Sequence, residues 1–129
     1  MAADCGGFMM RVRFKDAHKF PGPVRQAIRA FARKSDAAFL EVMGASAPIL
    51  DVHPMTPDEV EEDTAAGGGD GYMQILPSGK VRVAIRPGVT PYRACEVWTE
   101  EQVHALRPDL SESVVRGYYV PTIVKKVLA

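Results

Sequence analysis

A carboxylate and an imidazole stand two positions apart near the middle of the chain, at Asp51 and His53. If this segment is a β-strand, both side chains point to the same face of the sheet. There they would suit two ligands of a divalent metal ion or an acid–base pair, and nearby acidic residues at positions 58, 61 and 62 could complete a cation site. The alternative is that both are loop residues that form local hydrogen bonds.

A second histidine lies close to two carboxylates. His104 follows Glu100 by four residues and Glu101 by three, so on a helix these side chains are neighbours. An exposed ion pair is the simpler interpretation, since the sequence contains no His-Glu-x-x-His motif, P-loop or dinucleotide-binding glycine fingerprint. Cys95 would need a histidine beside it to act as a nucleophile, and no motif connects it to one. We therefore assign no catalytic residue and no cofactor. The missing motifs favour a non-enzymatic protein.

The charges cancel overall but are divided along the chain. Residues 11–34 hold eight basic side chains and one acidic one, whereas residues 35–71 hold nine acidic side chains and no lysine or arginine. The predicted binding surface consists of arginines on regular elements: Arg11, Arg13, Arg25, Arg29, Arg33, Arg82 and Arg86. Such a surface could follow a phosphate backbone, bind an acidic protein, or be neutralised by the acidic segment within the fold. Aromatic side chains for base stacking are missing from the basic runs.

Hydrophobic spacing predicts the elements that would carry these residues. Alternation over residues 8–15 predicts a strand, and a helical period over about 23–43 predicts a long amphipathic helix. Residues 72–76 and 80–86, separated by a Pro-Ser-Gly turn, predict a β-hairpin. Residues 47–53 fit a short strand.

Capping signals predict the remaining helices. Thr56, Pro57 and Glu59 form the signature of a capping box at a short acidic helix. Thr90 with Pro91 and Thr99 with Gln102 both have capping signatures. The signature at Thr99 predicts a helix over 100–107, while residues 94–98 fit either a strand or a helix. Asp109 is the predicted cap of a further helix over 110–117, which Gly117 and Pro121 would end.

These elements predict an α+β fold, with a small antiparallel or mixed sheet of three to four strands packed on one long helix and short C-terminal helices. We expect a flexible leader over residues 1–7 and a single domain over 8–129. The chain has no apolar run of the ~20 residues that cross a bilayer and no secretory signal at its start. The two distant cysteines, Cys5 and Cys95, are typical of free thiols in a reducing compartment. We therefore expect a cytoplasmic protein without membrane contact.

The expected function is a small non-enzymatic binding or regulatory module that acts through contacts with a protein partner or with a second copy of itself. The apolar segment from Tyr118 to Leu128 would pack on the core or form an oligomer contact. One alternative is a nucleic-acid-binding protein that uses the basic strand and helix surface. The other is a metal-assisted hydrolase centred on Asp51 and His53.

Overall fold

The computed structural model describes residues 12–129, which form an α+β fold with a four-stranded mixed sheet, as the sequence predicted. The elements follow in the order β1 (Arg13–Phe14), α1 (Gly22–Met43), β2 (Asp51–Pro54), α2 (Pro57–Ala65), β3 (Gly71–Ile75), β4 (Val81–Ile85), α3 (Pro91–Leu106), α4 (Glu112–Val114) and α5 (Val120–Leu128). A 3₁₀ turn covers Ala17–Lys19, and a π turn over Val115–Tyr119 joins α4 to α5.

The sheet has the strand order β1-β2-β4-β3. The strands β1, β2 and β4 are parallel, and β3 runs antiparallel to β4 at the end of the sheet. Phe14, Val52 and Val83 lie in register across the parallel strands, on the face that we call the inner face. Helices α1, α3 and α5 bury their apolar side chains together with this face, which is the arrangement that a two-layer fold requires.

The single tryptophan lies at the centre of the core. Trp98 of α3 is fully buried and makes edge-to-face contacts with Phe31 and Phe39 of α1, at ring-centroid distances of 6.0 and 5.9 Å. Aromatic pairs favour this geometry because the positive ring edge meets the negative ring face. The contacts fix α3 against the long helix.

The opposite, outer face of the sheet is partly covered by α2. Glu59 of α2 lies 3.5 Å from the Nε2 atom of His53 and accepts a hydrogen bond from the Tyr72 hydroxyl.

The predicted capping box is confirmed, since Thr56 accepts from the Glu59 backbone and donates its own backbone N–H to the Glu59 carboxylate. The predicted long helix and hairpin are also present, as α1 and as β3 with β4. Of the predicted strand over 8–15, residues 13 and 14 form β1, whereas residues 8–11 and the expected leader lie outside the described residues.

The predicted helix start at Thr99 is wrong. The cap of α3 is Thr90, whose hydroxyl accepts from the Arg93 backbone N–H at 3.1 Å, and the helix runs unbroken through residues 94–98. Thr99 is fully buried in mid-helix and donates to the Cys95 carbonyl at 2.8 Å. Burial of the apolar face around Trp98 outweighs the local capping signal of Thr99.

The predicted break of the C-terminal helix is also wrong. Ser111 rather than Asp109 caps it, and helical structure then continues from Glu112 to Leu128. Pro121 and Gly117 are accommodated because the chain widens into the π turn, where the Val120 N–H reaches the Val115 carbonyl. The segment buries Val120, Ile123, Val124 and Val127 in the core. This confirms the expectation that it packs on the core.

No helix within residues 12–129 combines the length and the apolar character that a membrane span needs.

Candidate metal centre

Three potential metal ligands converge where α3 meets the start of α4. Glu100 and His104 are one turn apart on α3, and Glu112 belongs to the first turn of α4. One ligand atom from each lies within 4.8 Å of the others, and His104 Nε2 is 2.5 Å from a Glu112 carboxylate oxygen. Two carboxylates and one imidazole offer the nitrogen and oxygen donors that suit Zn²⁺ or Mn²⁺.

The position of α3 is fixed by an unusual side-chain clamp. Gln102 is fully buried, and its amide accepts from the Ile49 N–H at 2.9 Å and donates to the Ile49 carbonyl at 2.7 Å. Both backbone groups of Ile49 are thus satisfied by a side chain, as strand pairing would otherwise do. These two hydrogen bonds fix the rotation of α3 about its axis, so the side chains of Glu100 and His104 lie on the side that faces α4.

Arg116 partly neutralises the two carboxylates. From the π turn, its guanidinium lies 3.1 Å from Glu100 Oε2 and 2.7 Å from Glu112 Oε2. The Glu100 side chain is only 4% exposed, whereas that of Arg116 is 47% exposed. An arginine this exposed can turn into solvent, so it neutralises the buried carboxylate without closing the site to a cation. π turns of this kind occur frequently at functional sites.

Glu101 adds a further carboxyl group beside the ligands. Its side chain is buried close to the carboxylates of Glu100 and Glu112 and to the guanidinium of Arg116. Burial and the nearby carboxylates of Glu100 and Glu112 raise its pKa to about 8. Carboxyl groups in such environments are concentrated at functional sites.

A cleft of about 640 Å³ begins beside the candidate ligands. Its lining includes His104 and Ala105 of α3, Met73 and Ile75 of β3, and Ile49. Its lining is mainly apolar, and its size matches that of small-molecule sites. His104 thus belongs both to the ligand cluster and to the lining of a space where a substrate can lie.

The predicted pair Asp51 and His53 is divided between two cavities, since Asp51 lines the cleft described above and His53 does not. Asp51 pairs with Arg13 at 2.5 Å and Lys80 at 2.9 Å. Burial opposes ionisation of Asp51, but hydrogen bonds from these two cations lower its pKa. His53 is buried beside Glu59 and borders a separate cavity of about 310 Å³, and burial lowers its pKa. A metal role for this pair stays a prediction.

The predicted basic surface is distributed over several environments. Arg86 pairs with Asp63 at 2.7 Å and with Asp70 at 3.3 Å, so acidic residues of the middle segment face it within the fold. Arg82 donates to Gln74. Arg13 is paired with Asp51, and the guanidinium of Arg29 lies 4.7 Å from the centroid of the Phe14 ring. Arg25 is half-buried and Arg33 is exposed. Arg11 lies outside the described residues. Binding of nucleic acid or protein by this surface stays a prediction.

The sequence contained a signal for the candidate metal centre. Glu100, Glu101 and His104 have the spacing of His-Glu-x-x-His, with a carboxylate in place of the first imidazole. The expected helix start at Thr99 made these residues appear exposed at a helix end. Glu112, the third ligand, carries no local signal because a turn brings it to α3.

Comparisons of the chain with protein-family models, curated proteins and solved structures find no match.

Proposed function

We propose that this protein is a hydrolase that uses one divalent metal ion, bound by Glu100, His104 and Glu112. The observation that carries the proposal is the convergence of these three donors next to an apolar cleft. Three protein ligands leave a coordination position for water, as is typical of catalytic zinc sites, whereas structural sites are closed by four.

The residues around the ion would divide the chemistry. A bound divalent ion lowers the pKa of its water towards neutrality and so supplies a nucleophile. Glu101 follows a ligand directly. A bound cation would neutralise the Glu100 and Glu112 carboxylates that help to raise its pKa, so Glu101 would then be ionised and able to accept the proton of that water. Arg116 would leave its carboxylate partners when the ion binds and would remain at the rim, where it can stabilise negative charge on the reacting group.

A zinc titration tests the ligands. By isothermal titration calorimetry we expect one Zn²⁺ bound per chain. In a thermal melt we expect Zn²⁺ to raise the melting temperature, because binding to the folded state alone stabilises it. Glu112→Gln changes an exposed residue and should weaken binding by about tenfold or more, whereas Glu61→Gln, an exposed change on α2, should not. Wild-type protein that binds no Zn²⁺, or equal affinity in all three proteins, would overturn the proposal and favour a non-enzymatic module.

A second assay tests the chemistry. The zinc-loaded protein should hydrolyse p-nitrophenyl acetate, and a chelator should abolish this activity. Glu101→Gln should still bind zinc and yet lose most of the hydrolysis. Hydrolysis that persists in Glu101→Gln would contradict the assigned proton acceptor.

A further inference from the structure

We infer that the substrate is an extended polypeptide that pairs with the free edge of β3 and places an apolar side chain in the cleft. The inference rests on the proposed function for the bond that is cleaved, but the binding surface is argued separately from the strand edge and the cleft.

The backbone of β3 has hydrogen-bonding groups that no other residue in the range 12–129 uses. In the described part of the chain no strand pairs with its outer edge. The bonds from Arg86 N to Asp70 O and from Leu76 N to Lys80 O mark two hydrogen-bonded positions of the β3–β4 ladder. Because such positions alternate in antiparallel pairs, Gly71, Met73 and Ile75 direct their N–H and C=O groups away from β4. An added extended chain would find three donors and three acceptors at this edge.

The same residues present apolar side chains to the cleft. Met73 and Ile75 pair with Val83 and Val81 in the register, so they lie on the inner face and line the cleft opposite His104. Ile75 is 75% exposed and Met73 is 37% exposed. An edge that stays unpaired, as this one is within residues 12–129, favours self-association when its side chains are apolar, and proteins usually protect such edges with charge or proline. Its retention beside the candidate metal centre is explained if a polypeptide binds there.

The rim of the cleft favours an uncharged side chain. Its charged members Asp51, Arg13 and Lys80 form ion pairs with one another, so these charges are engaged within the protein. An apolar side chain would gain from the mainly apolar walls. Backbone pairing supplies affinity and the cleft supplies specificity, as in other proteins that bind peptides by strand addition.

The path of β3 brings the peptide to the metal ligands. Gly71 lies so close to Val97 of α3 that an added methyl group would overlap that side chain. Beyond this point β3 continues towards Ile75 while α3 continues to His104, and both reach the same cleft. A peptide along the outer edge of β3 would therefore pass the imidazole side of the centre.

Fluorescence anisotropy with a defined peptide tests the inference. The probe is a fluorescein-labelled alanine peptide with a central leucine, and the comparison peptides carry a central aspartate or N-methyl groups on alternate amides. We expect the leucine peptide to bind metal-free and zinc-loaded protein, and the aspartate peptide to bind at least about tenfold more weakly. Methylation of one alternate set of amides should abolish binding, because that set pairs with the strand, whereas methylation of the other set should not.

Matched variants separate the edge from the metal centre. Ile75→Glu should weaken leucine-peptide binding about tenfold or more and leave Zn²⁺ affinity unchanged, while Ile75→Leu should retain binding. Leu40→Glu, an exposed apolar-to-acidic change on α1, should bind as the wild type does.

Each outcome distinguishes the two proposals. Peptide binding that depends on Ile75 in a protein that binds no zinc would refute the proposed function and support this inference. Zinc binding and ester hydrolysis without peptide binding would refute this inference alone. A dimer in sedimentation that Ile75→Glu dissociates, with no peptide bound, would also overturn it, since the edge would then pair with a second copy.

Discussion

Replacement of Glu101 by glutamine should stabilise the metal-free protein at alkaline pH and have little effect in acid. The carboxyl group has an ordinary pKa of 4.5, and in the folded protein burial together with Glu100 and Glu112 raises this pKa to about 8. Between these two values the folded protein holds a proton that the unfolded chain has released. The unfolding free energy contributed by Glu101 therefore decreases as pH rises through this window.

The size of the effect follows from the width of the window. One group contributes about 1.4 kcal/mol per pH unit, so a shift from 4.5 to about 8 corresponds to about 5 kcal/mol, as an order of magnitude. Glutamine has nearly the same shape and carries no charge at any pH. At pH 8, Glu101→Gln should thus be more stable than the wild type by up to this amount, and near pH 4.5 the two should be nearly equal.

Urea unfolding in the presence of a chelator measures this difference. The fluorescence of Trp98, the only tryptophan in the chain, reports on the core beside Glu101. Glu61→Gln, which removes an exposed carboxylate from α2, is the control and should follow the wild type at both pH values. A Glu101→Gln protein that is no more stable than the wild type at pH 8 would refute the interpretation of Glu101 as a buried carboxyl group whose ionisation the fold opposes.

Three further predictions concern the residues that build the site. Gly71→Ala should destabilise the protein by about 2 kcal/mol or more, since its methyl group would overlap α3 and β4, whereas Gly88→Ala meets open space and should be nearly neutral in urea unfolding. Gln102→Ala should cost about 3 kcal/mol or more, because it leaves the N–H and C=O of Ile49 buried without partners; a loss below about 1 kcal/mol would show that water replaces the clamp. Arg116→Ala should raise Zn²⁺ affinity about tenfold by removing the cation that competes for the carboxylates, and unchanged affinity in calorimetry would contradict the proposed competition.

Local patterns accounted for much of the fold. The helical period of α1, the capping box at Thr56 and the hairpin turn at residues 77–79 all depend on contacts between near neighbours. Such contacts are encoded within a few residues, so their sequence signals suffice to place the elements. The sheet order could not be predicted in the same way, because it depends on which strands meet across the core.

The candidate metal centre was missed for a related reason. Thr99 and Thr90 both carry capping signals, and the choice between them depended on whether the segment around Trp98 is buried. Once α3 runs through Thr99, Glu100 and Glu101 lie in mid-helix next to the core rather than at an exposed end. Glu112 then joins them through a turn and a cap at Ser111, which no helical spacing on α3 could indicate.

The most direct test of the metal centre is a crystal structure of the zinc-soaked protein with anomalous scattering measured at the zinc edge. The proposed function predicts one peak bonded to carboxylate oxygens of Glu100 and Glu112 and to His104 Nε2, at about 2.0–2.2 Å, with Arg116 turned away from both carboxylates. A peak at other residues, or Arg116 still paired with Glu100 and Glu112 in a crystal without zinc at this position, would contradict the central claim.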